Sequence, residues 1–278
     1  MVTSNGQAAE HDTATIMGGL YGDGIVGSKA AFDRAWIARL AEDIDLLFRQ
    51  ALALPGGTVP RGPNRYYVET FPERLRGFVD LALHPWIVAV CRAVLGPEYR
   101  IVEIGFDIPG PGAQDQPWHR DFPAPDATRI GRRLDSLAFN LTTVDVTQAM
   151  GPLEIAPGTQ WDSDENFENG MFPPRTLWPR YEARAQRRFP QAGDVSARSA
   201  LTIHRGTANR SDMSRPALVL GVDAPGACNA ERHDLQVTRG YLDSLPLLVR
   251  DHLACRVVNR LEPIVQRHTI DGLLMGMQ

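Results

Sequence analysis

Three residues in this 278-residue sequence have the types and spacing of a metal site. His119 and Asp121 stand two apart in the segment P-W-H-R-D at 117–121, and His204 follows far along the chain in T-I-H-R-G. If the first segment is extended, the two-residue period of a strand turns both of its side chains to the same side. Two imidazoles and one carboxylate on one face of an octahedron form the facial triad of non-haem Fe(II) oxygenases, which leaves three positions open. The pattern therefore predicts an iron site.

Other interpretations of these residues have to be weighed. The residues of an H-x-D triplet are often polar side chains at the surface or part of a turn, and a buried histidine often serves only packing. H-R-D also occurs in the catalytic loop of protein kinases, but that loop needs an asparagine five residues after its aspartate, where this chain has Asp126. A kinase also needs a strand lysine, and Lys29 is the only lysine here. The joint arrangement of H-x-D, a distant histidine and an arginine, all in strand-like contexts, favours the metal site.

The arginine that accompanies the triad is Arg215, near the start of S-R-P-A-L-V-L-G-V, which reads as a buried strand. An unpaired buried charge is very costly, so this guanidinium needs an anionic partner. Its planar fork can hold a carboxylate through two hydrogen bonds. The distal carboxylate of 2-oxoglutarate is such a partner, while the keto acid end of that molecule can chelate iron. The alternative is a structural salt bridge to an aspartate or glutamate.

With these residues in place, the sequence resembles the phytanoyl-CoA dioxygenase family of Fe(II)- and 2-oxoglutarate-dependent oxygenases, particularly bacterial members that act on small metabolites. The resemblance runs from about residue 30 to 278 and is carried by W-H-R-D at 118–121, G-P-L-E-I-A-P-G-T-Q at 151–160 and H-R-G-T-A-N-R-S-D-M-S-R-P at 204–216. It implies that His119, Asp121 and His204 bind Fe(II) and that Arg215 binds 2-oxoglutarate. Some relatives have a polar residue two positions after the arginine, where this chain has Ala217.

The resemblance also implies a reaction that uses Fe(II), 2-oxoglutarate and O2, releases succinate and CO2, and oxidises a C–H bond of a small molecule. Hydroxylation is the default outcome, and desaturation, epoxidation and ring formation stay open. Halogenases of this general type replace the carboxylate ligand with a small residue, so the presence of Asp121 disfavours chlorination. Two other classes are retained as alternatives: a different cupin-type metal enzyme, such as an isomerase or a 2-oxoglutarate-independent dioxygenase, and a non-catalytic binding protein.

Composition favours a single enzyme domain over residues 1–278. The formal net charge of −4 and the isoelectric point near 6.0 argue against a nucleic-acid partner. We see no apolar run long enough for a membrane span and no secretory signal, and we expect a cytoplasmic protein. Cys91, Cys228 and Cys255 are odd in number and widely spaced, which suggests reduced thiols. The expected partner is a small-molecule substrate, and the sequence leaves monomer and homodimer open.

Periodicity predicts a mainly β fold with flanking helices, in which short strands with Gly/Pro turns build a double-sheet jelly roll, the double-stranded β-helix of cupins. Residues 1–28 are polar and Gly-rich and are expected to be partly flexible, and residues 54–65 to be a loop. Predicted helices cover 30–53, 71–82, 85–95 and two short stretches within 238–253; predicted strands cover 99–109, 134–146, 153–156, 194–204 and 214–223.

Strand parity selects further candidates for the pocket. Asn140 and Thr142 lie on the small polar face of the predicted strand 134–146, and Thr202 shares a parity with His204. These three are candidate contacts for 2-oxoglutarate or substrate, although they could equally serve only their strand neighbours.

The insertion at 161–193 is too long for a plain connection. We predict an active-site lid there, with a dimer contact or a solvated loop as alternatives. The remaining histidines are not expected to bind metal. His84 is expected to stand at the start of a helix, and His233, His252 and His268 are expected at the surface.

Overall fold

The described part of the chain, in this computed structural model, comprises residues 12–227, 233–263 and 265. Its largest element is a seven-stranded antiparallel sheet, here called the major sheet. In spatial order its strands are β1 (Ile25–Ser28), β8 (Val195–Ser199), β5 (Ser136–Thr142), β10 (Ala217–Asp223), β4 (Arg100–Pro109), β3 (Arg65–Glu69) and β2 (Val59–Pro60).

A second, three-stranded sheet, the minor sheet, contains β7 (Gln186–Arg188), β6 (Leu153–Ile155) and β9 (His204–Gly206) in that order. An antiparallel bridge between His119 and His204 adds the H-x-D segment to its β9 edge. Residues of both sheets line one large cavity. The mainly β architecture with a double-sheet jelly-roll core is therefore confirmed.

The two faces of the major sheet differ as strand alternation requires. On β5, Leu137, Phe139 and Leu141 are each 1% exposed and belong to the main hydrophobic core, whereas Asn140 and Thr142 line the cavity. The apolar face is covered by helices, and the polar face is left to surround the cavity.

Two helices supply most of that cover, α2 (Arg34–Leu52) and α4 (Pro85–Leu95). Asp33 caps α2 by accepting a hydrogen bond from the backbone N–H of Trp36 at 2.7 Å. In α4, Trp86 packs edge-on against Phe139 of the sheet, with ring centroids 6.2 Å apart. The remaining helices are short: α1 (Thr13–Gly18), α3 (Phe78–Ala82), α5 (Asp126–Gly131), α6 (Trp178–Glu182), α7 (Arg239–Ser244) and α8 (Leu247–His252). Within the described residues, no helix combines the length and apolar character that a bilayer span requires.

The predicted loop at 54–65 contains β2 and the first residue of β3, and the structure departs from the predicted elements in three further places. Residues 12–28, taken from composition as polar and Gly-rich, form α1, a π-helical turn (Gly19–Asp23) and β1, which pairs with β8 at the edge of the major sheet. Residues 1–11 lie outside the described part.

The predicted helix at 71–82 is a 3-10 turn (Pro72–Arg74) followed by α3, with Gly77 packed against the indole of Trp36 between them. A Cβ at Gly77 would lie 2.5 Å from that indole nitrogen, so the chain turns where only glycine fits.

The third departure concerns the predicted strand at 194–204, which is two strands in two different sheets. β8 ends at Ser199, and β9 begins at His204. Between them the N–H of Ser199 donates to the carbonyl of Gly24 and the N–H of Thr202 donates to the carbonyl of Ser199, so the chain turns instead of continuing the ladder. This turn carries the chain from the major sheet to the minor sheet. A parallel pair, β11 (Gln236–Thr238) and β12 (Arg256–Val258), completes the described strands.

The insertion at 161–193 is folded against the minor sheet. Its residues Phe167 and Tyr181 join Trp118, Ala156 and Ile203 in a second small hydrophobic cluster. Trp118 alternates with His119 along the chain and is fully buried, so this cluster packs on the side of the H-x-D segment that faces away from the ligand side chains.

Candidate active site

The three predicted metal ligands come together in the structure. The potential ligand atoms of His119, Asp121 and His204 all lie within 4.8 Å of one another. The two histidines face each other across the β-bridge, where the N–H of His119 donates to the carbonyl of His204 at 3.0 Å and the N–H of His204 donates back at 2.9 Å. Asp121 is fixed two residues on, because its N–H donates to the carbonyl of Ala200 at 2.9 Å.

Both imidazoles are oriented by backbone carbonyls. The Nδ1 atom of His119 is 2.9 Å from the carbonyl of Pro117, and the Nδ1 atom of His204 is 2.9 Å from the carbonyl of Thr202. A carbonyl only accepts, so each Nδ1 carries the proton and each Nε2 presents a lone pair. Histidine ligands in metal sites are commonly held in this way, with the ring nitrogen that does not bind the metal donating to a carbonyl or carboxylate.

The carboxylate of Asp121 has two differently engaged oxygens. Oδ2 accepts a hydrogen bond from the guanidinium of Arg198 at 2.9 Å, and Oδ1 lies 3.5 Å from Nε2 of His204. The ring of Phe172 stacks on that of His119 with centroids 5.9 Å apart and covers one side of the group.

The electrostatics of the site favour the protonation states that bind metal. Burial lowers the pKa of His119 to about 4 and lowers the pKa of His204 well below its ordinary value. Burial opposes ionisation of Asp121, but the positive charge of Arg198 and its hydrogen bond to the carboxylate act in the opposite direction, and the pKa of Asp121 lies below its ordinary value. At neutral pH the group is therefore two neutral imidazoles and one carboxylate.

Arg215 lies just before β10, is 5% exposed and lines the same cavity. Its nearest carboxylate is that of Asp107 at 3.9 Å, which is too long for a hydrogen bond. Asp107 is instead bonded to Arg65 at 3.0 Å. The Nε atom of Arg215 is buried and finds no hydrogen-bond partner among the described residues. Burial lowers the pKa of Arg215 to about 10, so it stays cationic at neutral pH with spare donors toward the cavity.

The cavity has a volume of about 1190 Å³, which is large enough for a co-substrate and a second organic molecule. Asn140 and Thr142 line it, and the hydroxyl of Thr142 donates to the carbonyl of Val144 at 2.7 Å. Thr202 does not line it. It lies in the turn between β8 and β9, where parity does not apply, and its hydroxyl donates to the carbonyl of Gly24 at 3.2 Å.

Two of the remaining histidines differ from the surface placement expected for them. His233 lines the cavity and pairs with Glu69 at 2.7 Å, and neighbouring carboxylates outweigh its burial and raise its pKa. His252 is 9% exposed and packs on Tyr99 with ring centroids 3.9 Å apart. Both histidines lie next to acidic or apolar groups from distant parts of the chain, which the local sequence does not reveal. His84 stands at the N-cap of α4 as predicted, and His268 and Cys228 lie outside the described residues.

Sequence reasoning missed Arg198, which holds Asp121. A signal was present, because Arg198 has the same parity as Thr202 and His204 within the predicted strand at 194–204. The alternation that selected Thr202 would have selected Arg198 equally well.

A family model described as phytanoyl-CoA dioxygenase (PhyH) matches residues 20–217, which is well over half of the chain. The chain belongs to the phytanoyl-CoA dioxygenase family. It is therefore an oxidoreductase of the Fe(II)- and 2-oxoglutarate-dependent class, as the sequence resemblance implied.

Several solved structures share the fold. The carbocyclase SnoK from nogalamycin biosynthesis, described as non-haem and alpha-ketoglutarate dependent, is 18% identical with a TM-score of 0.62, covering 83% of this chain and 92% of its own. The epimerase SnoN, solved with Fe3+, alpha-ketoglutarate and nogalamycin RO, is 21% identical with a TM-score of 0.60 over 76% of this chain and 83% of its own. EctD from S. alaskensis, solved with 2-oxoglutarate and 5-hydroxyectoine, is 18% identical with a TM-score of 0.60, covering 81% of this chain and 79% of its own.

The neutral state of the buried imidazoles leads to a prediction about acid stability. In the unfolded chain His119 takes up a proton near its ordinary pKa of 6.5, whereas in the folded metal-free protein it does so near 4. As pH falls through this interval the unfolded state binds the proton first, so the free energy of unfolding decreases. From pH 7 to pH 5 the metal-free wild type should lose about 1–2 kcal/mol more than a His119→Gln variant. Denaturant titrations at the two pH values measure this, and equal losses would show that His119 is freely protonated in the fold.

Proposed function

We propose that this chain is a non-haem Fe(II)- and 2-oxoglutarate-dependent dioxygenase that oxidises, and by default hydroxylates, an unactivated C–H bond of a small metabolite in secondary-metabolite biosynthesis. Succinate and CO2 would be the co-products. The observation that carries the proposal is that the His119, Asp121 and His204 group and the cationic Arg215 face one cavity of about 1190 Å³.

The donor set fits the cofactors that the family uses. Two neutral Nε2 atoms and one carboxylate form the facial set that suits Fe(II) and leaves three positions free. Arg215 would hold the distal carboxylate of 2-oxoglutarate, because its guanidinium is buried, charged and has an unused donor. When bound, these cofactors supply oxidation of a C–H bond by dioxygen, coupled to decarboxylation of the keto acid.

The chain's own residues define where the substrate lies. Met171, Phe172, Phe189 and Pro190, all from the insertion at 161–193, line the cavity. Phe172 already stacks on a proposed ligand, so this part of the insertion shields the reacting centre from water. We propose that the segment acts as an active-site lid and that these side chains favour a partly apolar substrate.

The type of oxidation is proposed from the ligands present. Asp121 fills the carboxylate position, so no place is provided for a halide. Similar folds include a carbocyclase and an epimerase, so the fold by itself does not fix the type of oxidation. Hydroxylation needs the fewest additional groups and is therefore the preferred assignment.

The metal assignment is tested by removing one ligand. His204→Ala should abolish Fe(II) binding and all turnover, because two remaining ligands cannot hold the ion in a facial site. The matched control is His252→Ala, since His252 is also buried but lies away from the cavity. Equilibrium dialysis of Fe(II) under anaerobic conditions, together with circular dichroism to confirm folding, separates the two variants. A folded His204→Ala protein with wild-type turnover would contradict the assignment of His204 as a metal ligand.

The co-substrate assignment is tested at Arg215. A bidentate charge-assisted contact in a desolvated site is worth on the order of 2–5 kcal/mol when one partner is removed. Arg215→Ala should therefore raise the KM for 2-oxoglutarate by roughly 30-fold or more and change Fe(II) affinity little. Lysine should restore part of the loss, because a point charge cannot reproduce the planar fork.

Keto acids without a distal carboxylate serve as the internal control for this variant. Their use should be impaired less by Arg215→Ala than the use of 2-oxoglutarate. An unchanged KM would instead identify Arg215 as a structural partner of Asp107.

The reaction outcome is tested by mass spectrometry of products formed with chloride present. The expected main product carries one added oxygen atom and no chlorine isotope pattern, with one succinate formed per product. Loss of two hydrogens or an isomer of unchanged mass would reassign the chain to desaturation, ring closure or epimerisation. A 2-oxoglutarate-independent reaction would favour the other cupin-type enzymes.

A further inference from the structure

Arg198 is a buried arginine in the cavity wall that forms an ion pair with Asp121. It is 4% exposed and lies on β8 between Ile25 of β1 and Ala138 of β5. One terminal nitrogen donates to Oδ2 of Asp121 at 2.9 Å, and the other donates to the carbonyl of Ser199 at 3.2 Å. Among the described residues, Asp121 is the only carboxylate that forms an ion pair with Arg198.

The burial of the two partners is unequal, which shows which one is the anchor. The side chain of Arg198 is 5% exposed and that of Asp121 is 30% exposed. Arg198 lies on β8, a strand paired on both sides, and its guanidinium donates to a backbone carbonyl, whereas Asp121 lies outside the described strands on an irregular segment. The guanidinium therefore determines where the carboxylate rests.

The same stretch of chain also holds the backbone of Asp121. Its N–H donates to the carbonyl of Ala200, two residues after Arg198. Backbone and carboxylate are thus both held from the end of β8, while the two histidines are held by each other across the minor sheet edge. Residues 198–200 set the distance between the carboxylate and the imidazoles.

On the basis of the proposed metal site, we propose that Arg198 is a positioning residue that commits Asp121 to metal binding through a single oxygen. Oδ2 is occupied by the guanidinium, and Oδ1 is the oxygen that faces Nε2 of His204 at 3.5 Å. A carboxylate can bind a metal through one oxygen or through both. Binding through both would fill one of the three positions that a facial triad leaves open. Arg198 keeps that position available for the co-substrate and O2.

The test counts the water molecules on a bound metal, which does not depend on turnover. Mn(II) serves as the probe in the full-length protein, and the water-proton relaxation rate of the complex reports its exchangeable waters. The variants are Arg198→Met, which removes the charge and both donors, and Arg198→Lys, which keeps the charge. The matched control is Arg205→Gln: Arg205 adjoins His204, but its guanidinium pairs with Glu154 and lies outside the cavity.

The wild type and Arg205→Gln should show about three bound waters, as a facial triad leaves. In Arg198→Met the freed carboxylate should bind through both oxygens, so the relaxation enhancement falls by about one third. Arg198→Lys should lie between the two, since an ammonium can hold one oxygen without the fork geometry. A folded Arg198→Met protein that no longer binds Mn(II) also supports the role, because Asp121 has then lost its position.

An unchanged water number in Arg198→Met, with binding still dependent on His204, overturns this role and makes Arg198 a structural ion-pair residue. The proposed dioxygenase site would survive that result. If Mn(II) binding in the wild type does not depend on His204, the metal site itself is wrong and both proposals fall. Circular dichroism and thermal melts of each variant establish that folded proteins are being compared.

Discussion

The two backbone hydrogen bonds between His119 and His204 are the interaction on which the site depends. They join two segments that are distant in sequence and fix both segments at the edge of the minor sheet. The centroids of the two imidazole rings are 4.3 Å apart. Because neighbouring side chains on paired strands point to the same face, the imidazoles must both enter the cavity. Each Nδ1 is then held by a carbonyl two residues earlier, so the backbone also sets the ring orientation.

Charged groups in and behind the cavity wall form ion pairs with each other. Arg65 is fully buried and bonds to Asp107 and to the carbonyl of Thr207, and Arg198 bonds to Asp121. Arg215 differs from these two arginines because its nearest carboxylate, that of Asp107, is 3.9 Å away. A buried cation with an incomplete set of partners favours an added anion, which supports the proposed co-substrate position at Arg215.

The residues that alternate with the proposed ligands tie the site to the insertion at 161–193. Arg120 stands between His119 and Asp121 in sequence, but it points the other way, donating to the carbonyl of Asp162 at 3.1 Å and lying 4.9 Å over the ring of Phe167. Arg205 follows His204 and lies 4.5 Å over Trp118. One face of each of these two segments carries the proposed ligands, and the opposite face packs against the insertion. A second hydrophobic core thus packs behind the segments that carry the proposed ligands.

The sequence by itself predicted the proposed ligand triad, the proposed role of Arg215, the jelly-roll class and the main helices, since these predictions depend on residue type, local spacing and periodicity. His119 and Asp121 share a face at any register, and the alternation along 136–142 separates core from cavity. Only the tertiary structure decided that the strand predicted at 194–204 breaks after Ser199, that β1 completes the major sheet, that Arg198 holds Asp121 and that His233 meets Glu69. Each of these depends on contacts between segments far apart in the chain, and local patterns do not record which distant partners satisfy a buried charge or end a strand.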